Sequence, residues 1–209
     1  MRIYHGTRRI ATAALCAGLI ALGASRGTSA DDASEMMSHA GDANAKITTV
    51  SAQYAIPKVR LVRDDGKTVA LAEEMNDGRP VVLNFIFTTC GSICPLMSQI
   101  FSQFQHRLGP DSGSVHLMSI STDPEEDTPA RLREYARQFG AGPSWQHYTG
   151  TLDASLAVQR AFDVYRGDKM SHTPVTLVRL APGQPWRRID GFVSPDELFH
   201  EYRQLLASK

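Results

Sequence analysis

The stretch V-V-L-N-F-I-F-T at 81–88, running on into T-C-G-S-I-C-P at 89–95, constrains the fold more than any other feature. A near-continuous apolar run, β-branched and aromatic, fits a strand buried on both faces. Pro95 suits the first turn of a helix, which sets Cys94 at or near the N-cap. Met97, Ile100, Phe101 and Phe104 then recur at helical spacing, with Met97 read as core packing. A two-sided strand feeding a helix through a short loop demands helices on both faces of a sheet.

The rest of the chain repeats the alternation. V-R-L-V-R-D-D-G-K-T-V-A-L (59–71) alternates and turns at Asp65-Gly66, predicting a β-hairpin. S-V-H-L-M-S-I-S (114–121) predicts a second buried strand. Asp127 precedes a helix with Pro129 near its start and Gly140 at its end. Residues 153–164 predict another helix, with Asp153 as its cap. Strands follow at 173–180 and from Trp186 to Phe192. Ser194 and Glu197 form a capping box for the last helix. The expected fold is α/β: a thioredoxin-like mixed β-sheet flanked by helices, with an N-terminal β-hairpin.

The N-terminus reads as an export signal. Basic residues from Arg2 to Arg9 precede an apolar run of about 15 residues, and T-S-A at 28–30 offers a cleavage site. That run is short of the roughly 20 residues of a membrane span. Two rivals stay open: Arg8-Arg9 as a twin-arginine signal, and Cys16 as a lipid-anchor cysteine. Residues 1–30 are expected to be a signal peptide, 31–50 a flexible linker and 51–209 one domain. The product is exported and periplasmic; an uncleaved segment would instead anchor it to the membrane. Removing residues 1–30 takes away four arginines and no acid, leaving 18 basic against 22 acidic side chains. A mildly acidic domain has no basic face for a phosphate backbone, so nucleic acid is not an expected partner.

With Cys16 removed, Cys90 and Cys94 remain. One bridge is the usual use of two cysteines in an exported domain. A bridge between these two closes a loop of only a few residues and removes little chain entropy. The pair is therefore expected to serve reactivity or metal binding. Cys90 lies past the C-terminal end of a central strand, where open α/β sheets place their ligands. The helix start beside Cys94 favours thiolate, which is both nucleophile and soft-metal ligand. A third ligand would complete a metal site, and His172 stands just before the strand at 173–180. His106 and His200 are expected on helix surfaces, and His116 in the core. His147 has no such placement, and Met36, Met37 and His39 read as solvated tail. Two thiolates and an imidazole suit copper better than magnesium or calcium, while zinc would also accept them.

The segments F-I-F-T-T-C-G-S-I-C-P-L-M-S, S-I-S-T-D-P-E-E-D-T-P-A-R-L-R-E-Y-A and the isolated His172-Thr173, with I-P-K-V-R-L-V-R-D-D-G-K-T-V upstream, resemble the Sco/SenC family across roughly 52–205. The resemblance implies a copper-binding, thioredoxin-fold protein that assists cytochrome c oxidase assembly. It carries the family's copper ligands to Cys90, Cys94 and His172. It gives Asp123, Pro124 and Asp127 a fold-shaping role. It implies subunit II of the oxidase, or another copper acceptor, as partner, and a thiol reductant protein to keep the cysteines reduced. A monomer is expected. Two departures stand out. Family members often carry Val-Asp-His where this chain has Met170-Ser171-His172. Thr173-Pro174 resembles the cis-proline loop of thiol oxidoreductases; the alternative is a trans proline opening a strand, where no N–H is needed.

Two functions follow. The first is a copper metallochaperone that is not an enzyme. The second is a thiol–disulfide oxidoreductase in which Cys90 attacks and Cys94 resolves. A peroxidase pattern would place Thr three residues before the cysteine, where Phe87 stands.

Overall fold

A computed structural model describes residues 47–208. The expected signal at 1–30, Cys16, Met36, Met37, His39 and most of the expected linker lie outside the described residues. The linker's end does not: β1 (Thr48–Ala52) pairs antiparallel with a later strand, so the folded domain starts ahead of residue 51.

The strands are β1, β2 (Arg60–Arg63), β3 (Thr68–Ala70), β4 (Val81–Ile86), β5 (His116–Ser121), β6 (Trp145–Thr149), β7 (Val175–Arg179) and β8 (Trp186–Asp190). They form one sheet in the order β1-β8-β7-β4-β5-β6-β2-β3. β4, β5 and β6 run parallel, while β7 joins β4 antiparallel with Val81 opposite Arg179. The expected hairpin is β2–β3, at one edge of the sheet. The helices are α1 (Leu71–Met75), α2 (Ile93–Leu108), α3 (Pro129–Gln138), α4 (Leu152–Ala161) and α5 (Pro195–Ala207). Among the described residues, no helix is long and apolar enough to cross a membrane.

Every residue of β4 and β5 is buried, as a two-sided strand requires. The pleat sends alternate side chains to opposite faces. Leu83 and Phe85 pack with Val158 and Phe162 from the α4 side. Val82 packs with Phe101 and Phe104 of α2 and with Leu198 and Tyr202 of α5. The Ser194–Glu197 capping box forms in both directions, at 3.2 and 2.9 Å. Asp153 is not the cap of α4. The Thr151 side chain accepts from the Ala154 N–H instead, because the helix begins one residue before Asp153. Thr128 caps α3 in the same way.

Candidate metal centre

β4 ends at Ile86 and hands the chain to a tight loop. The Cys90 N–H donates to the Phe87 carbonyl at 3.1 Å. The Phe87 N–H donates to Cys94 Sγ at 3.4 Å, and the Cys94 N–H donates to Cys90 Sγ at 3.3 Å. Ser92 occupies the N-cap of α2, so Cys94 sits in its first turn. Both cysteines are free thiols; Cys94 is fully buried and Cys90 partly open to solvent.

The two thiols differ in acidity. Burial pushes the Cys90 thiol up, but hydrogen bonds from the backbone of Cys94, Ser92 and Ile93 outweigh it and bring the group below its usual range. Donors at a helix start stabilise the anion there. Burial drives Cys94 strongly the other way, and a charged Cys90 and Asp127 nearby reinforce it, so the thiolate expected at Cys94 is favoured at Cys90 instead.

The loop is anchored from the side by Asp127, which is fully buried. Its carboxylate accepts from the Thr88 N–H at 3.1 Å, from the Thr88 hydroxyl at 2.5 Å and from the Ser121 hydroxyl at 2.6 Å. Thr88 lies two residues before Cys90. The fold-shaping role expected of Asp127 is thus visible as three hydrogen bonds. Asp123 starts the same turn: its carbonyl accepts from the Asp127 N–H at 2.9 Å, and its carboxylate meets Lys169.

His172 follows a single 3-10 turn, Lys169–Ser171, and precedes β7. It is 6% exposed, and neither ring nitrogen has a hydrogen-bond partner. Burial, with Arg166 adding to it, lowers its pKa to about 4, so the imidazole is neutral at pH 7. The neutral ring keeps a nitrogen lone pair without a hydrogen-bond partner, as does that of His147. The ring meets Phe87 edge-on, with centroids 6.4 Å apart. Phe87 belongs to the same apolar cluster as Cys94.

The structure therefore brings Cys90 and Cys94 together and places His172 in the adjoining segment, with Phe87 touching both. It does not close the three into one site. Among the described residues, no three His, Cys, Asp or Glu side chains gather closely enough to hold an ion. The donor set itself, two sulfurs and a neutral imidazole, fits a soft metal.

The other described histidines fall outside this centre. His106 and His200 are exposed on helices, as expected. His116 is in the core, hydrogen-bonded to Tyr148 Oη at 2.9 Å. His147 is fully buried against Trp145 and Tyr135. Thr88, Ser121 and Lys169 were not singled out from the sequence. Their only signal there is proximity to the cysteines, to the Ser-Thr-Asp-Pro turn and to His172.

A family model described as SCO1/SenC matches residues 46–207. The SCO1 protein homolog of Bacillus subtilis is 33% identical over 104 residues, 49% of this chain and 53% of that protein. The mitochondrial SCO1 homolog 1 of Arabidopsis thaliana is 34% identical over 109 residues, 50% of this chain and 30% of that protein. The matches thus span about half or less of these relatives' length. Among solved structures, Arabidopsis thaliana ScoI with copper bound superposes with a TM-score of 0.63 at 27% identity, covering 74% of this chain and all of that one.

Proposed function

The chain belongs to the SCO1/SenC family, and from that premise we propose that it binds copper through Cys90, Cys94 and His172 and delivers it within the cell envelope. The acceptor we infer is the dinuclear copper site of cytochrome c oxidase subunit II. One observation carries the reading: two thiols meet at the end of β4, and the adjoining segment, in contact through Phe87, carries a buried histidine whose ring nitrogens are both unpartnered. A similar fold holding copper in the Arabidopsis protein supports it.

In this reading copper is cargo. Ligands must shed their protons to bind a metal. Cys90 does so readily, Cys94 reluctantly, and His172 is already neutral. Ligation by all three requires the His172 segment to move toward the sulfurs. Cys90 is the more exposed sulfur, so an acceptor's ligand meets the ion on that side and Cys94 releases it last. The chain would act after export, with a thiol reductant protein maintaining both cysteines reduced.

Copper titration of the reduced full-length chain tests this beside Cys90→Ser, Cys94→Ser and His172→Ala. Each variant should bind at least ~10-fold more weakly, since each removes one of three ligands. Undiminished affinity in all three refutes the assignment.

The split acidity of the thiols favours a second reading, a thiol–disulfide oxidoreductase. Cys90 thiolate would attack a partner disulfide and form a mixed disulfide. Cys94 would lose its proton and attack Cys90 Sγ, releasing the partner with two electrons gained. Here His172→Ala leaves exchange with a protein disulfide unchanged, whereas the copper reading makes that residue essential.

A further inference from the structure

We propose that Asp123 and Lys169 form a positioning pair that holds the His172 segment against the cysteine loop and keeps the imidazole within reach of Cys90 and Cys94. The role rests on the copper reading above, but the pairing itself does not.

Asp123 is 5% exposed, a carboxylate withdrawn from water. Lys169 Nζ lies 2.5 Å from its Oδ2. The same ammonium stands 5.8 Å from the centre of the Phe87 ring. Phe87 in turn touches His172 and donates its N–H to Cys94 Sγ. Lys169 is also tied to the histidine along the backbone, because its carbonyl accepts the His172 N–H at 3.2 Å. Just before it, Asp168 Oδ1 accepts the Met170 N–H at 2.9 Å and closes the turn.

The other end of the pair is equally well fixed. The Asp123 N–H donates to Ser121 Oγ at 2.9 Å, and that hydroxyl donates to Asp127. Asp127 grips Thr88. One turn, 122–127, therefore reaches the cysteine loop through Asp127 and the histidine segment through Asp123. A cavity of about 420 Å³, lined by Asp123, Arg166, Lys169 and His172 among others, opens beside the segment. An ion pair open to water on both sides would contribute little. A carboxylate buried on one side is different, since losing its partner leaves the charge stranded. A segment already held near its bound position loses less conformational freedom when it ligates.

The test uses the reduced full-length chain as Lys169→Met, Lys169→Arg and the double variant Asp123→Asn with Lys169→Met. The double variant removes the buried charge together with its partner, so stability loss from a stranded carboxylate cannot mask the result. In the metal-free protein, hydrogen exchange at the Met170 and His172 amides should accelerate ~10-fold in Lys169→Met and in the double variant, and return toward wild type in Lys169→Arg. Loaded with Cu(I), both should lose the ion to a sulfonated chelator ~10-fold faster, about one ordered residue's worth of backbone entropy. Unchanged exchange and unchanged release overturn the proposal, as does slower release, which would make the pair a restraint against ligation. If wild type and His172→Ala release copper at one rate, the copper reading fails, and the exchange data still judge the pair.

Discussion

Replacing Asp127 should be the most damaging single change near the cysteines that leaves both thiols in place. Asp127→Ala deletes the acceptor for the Thr88 N–H, the Thr88 hydroxyl and the Ser121 hydroxyl. Hydrogen bonds to a charged acceptor contribute about 1.5–3 kcal/mol each. The gross loss is offset by releasing a fully buried carboxylate from its desolvation penalty, several kcal/mol in such surroundings. The two hydroxyls can turn to other acceptors; the Thr88 N–H, fixed by the backbone, cannot. The net cost should be ~3 kcal/mol. For a domain of this size that is a fall in Tm on the order of 10 °C. Asp127→Asn keeps one carbonyl oxygen for the Thr88 N–H and should cost about half as much. Urea unfolding of the reduced, metal-free chain reads both values, and Cu(I) release to a chelator should quicken in the same order. A loss below ~1 kcal/mol for the alanine variant, with copper release unchanged, would refute the anchoring role.

His147 makes stability fall in acid. Its burial lowers its pKa to about 3, and Asp64 at 3.9 Å from Nδ1 is too far to hydrogen-bond the ring. The unfolded chain takes up that proton near pH 6.5 and the folded one does not, so stability drops as pH falls between about 6.5 and 3, by ~1.4 kcal/mol per unit. His147→Phe keeps the aromatic packing and loses no hydrogen bond; it should match wild type near pH 7 and exceed it by ~2 kcal/mol at pH 5, and coincident unfolding curves at pH 5 would contradict this. Iodoacetamide should alkylate Cys90 at least ~10-fold faster than Cys94, through its exposure and greater thiolate fraction; peptide mapping of a time course decides it, and equal rates would dismiss the acidity difference.

The sequence was informative where periodicity and burial agree. Residues 81–88 and 114–121 declared their strands because both faces are apolar, and P-D-E-L after Ser194 declared its helix start. β6 was missed. W-Q-H-Y-T has no aliphatic run and is buried only by what packs on it, with Trp145 against Phe101. β1 was missed for the opposite reason: T-T-V-S-A is exposed almost throughout and joins the sheet by backbone pairing to β8. Cys90 and Cys94 came together as their spacing implied. That His172 stands outside the cysteine pair was not legible, because order along the chain does not give separation in space. Nor was Lys169, whose partner Asp123 lies 46 residues away.

The antiparallel seam between β4 and β7 sets when the centre can form. Cys90 follows β4 and His172 precedes β7, and the pairing of Val81 through Asn84 with Arg179 through Thr176 sets their segments side by side. Contacts so distant along the chain come late in folding, after the entropy of closing a long loop has been overcome. A newly emerged chain thus presents two neighbouring thiols well before it presents an imidazole. Oxidant reaching it in that interval would meet a bare dithiol, and the order of folding and oxidation would then set whether the pair stays open, as it stands here, or closes.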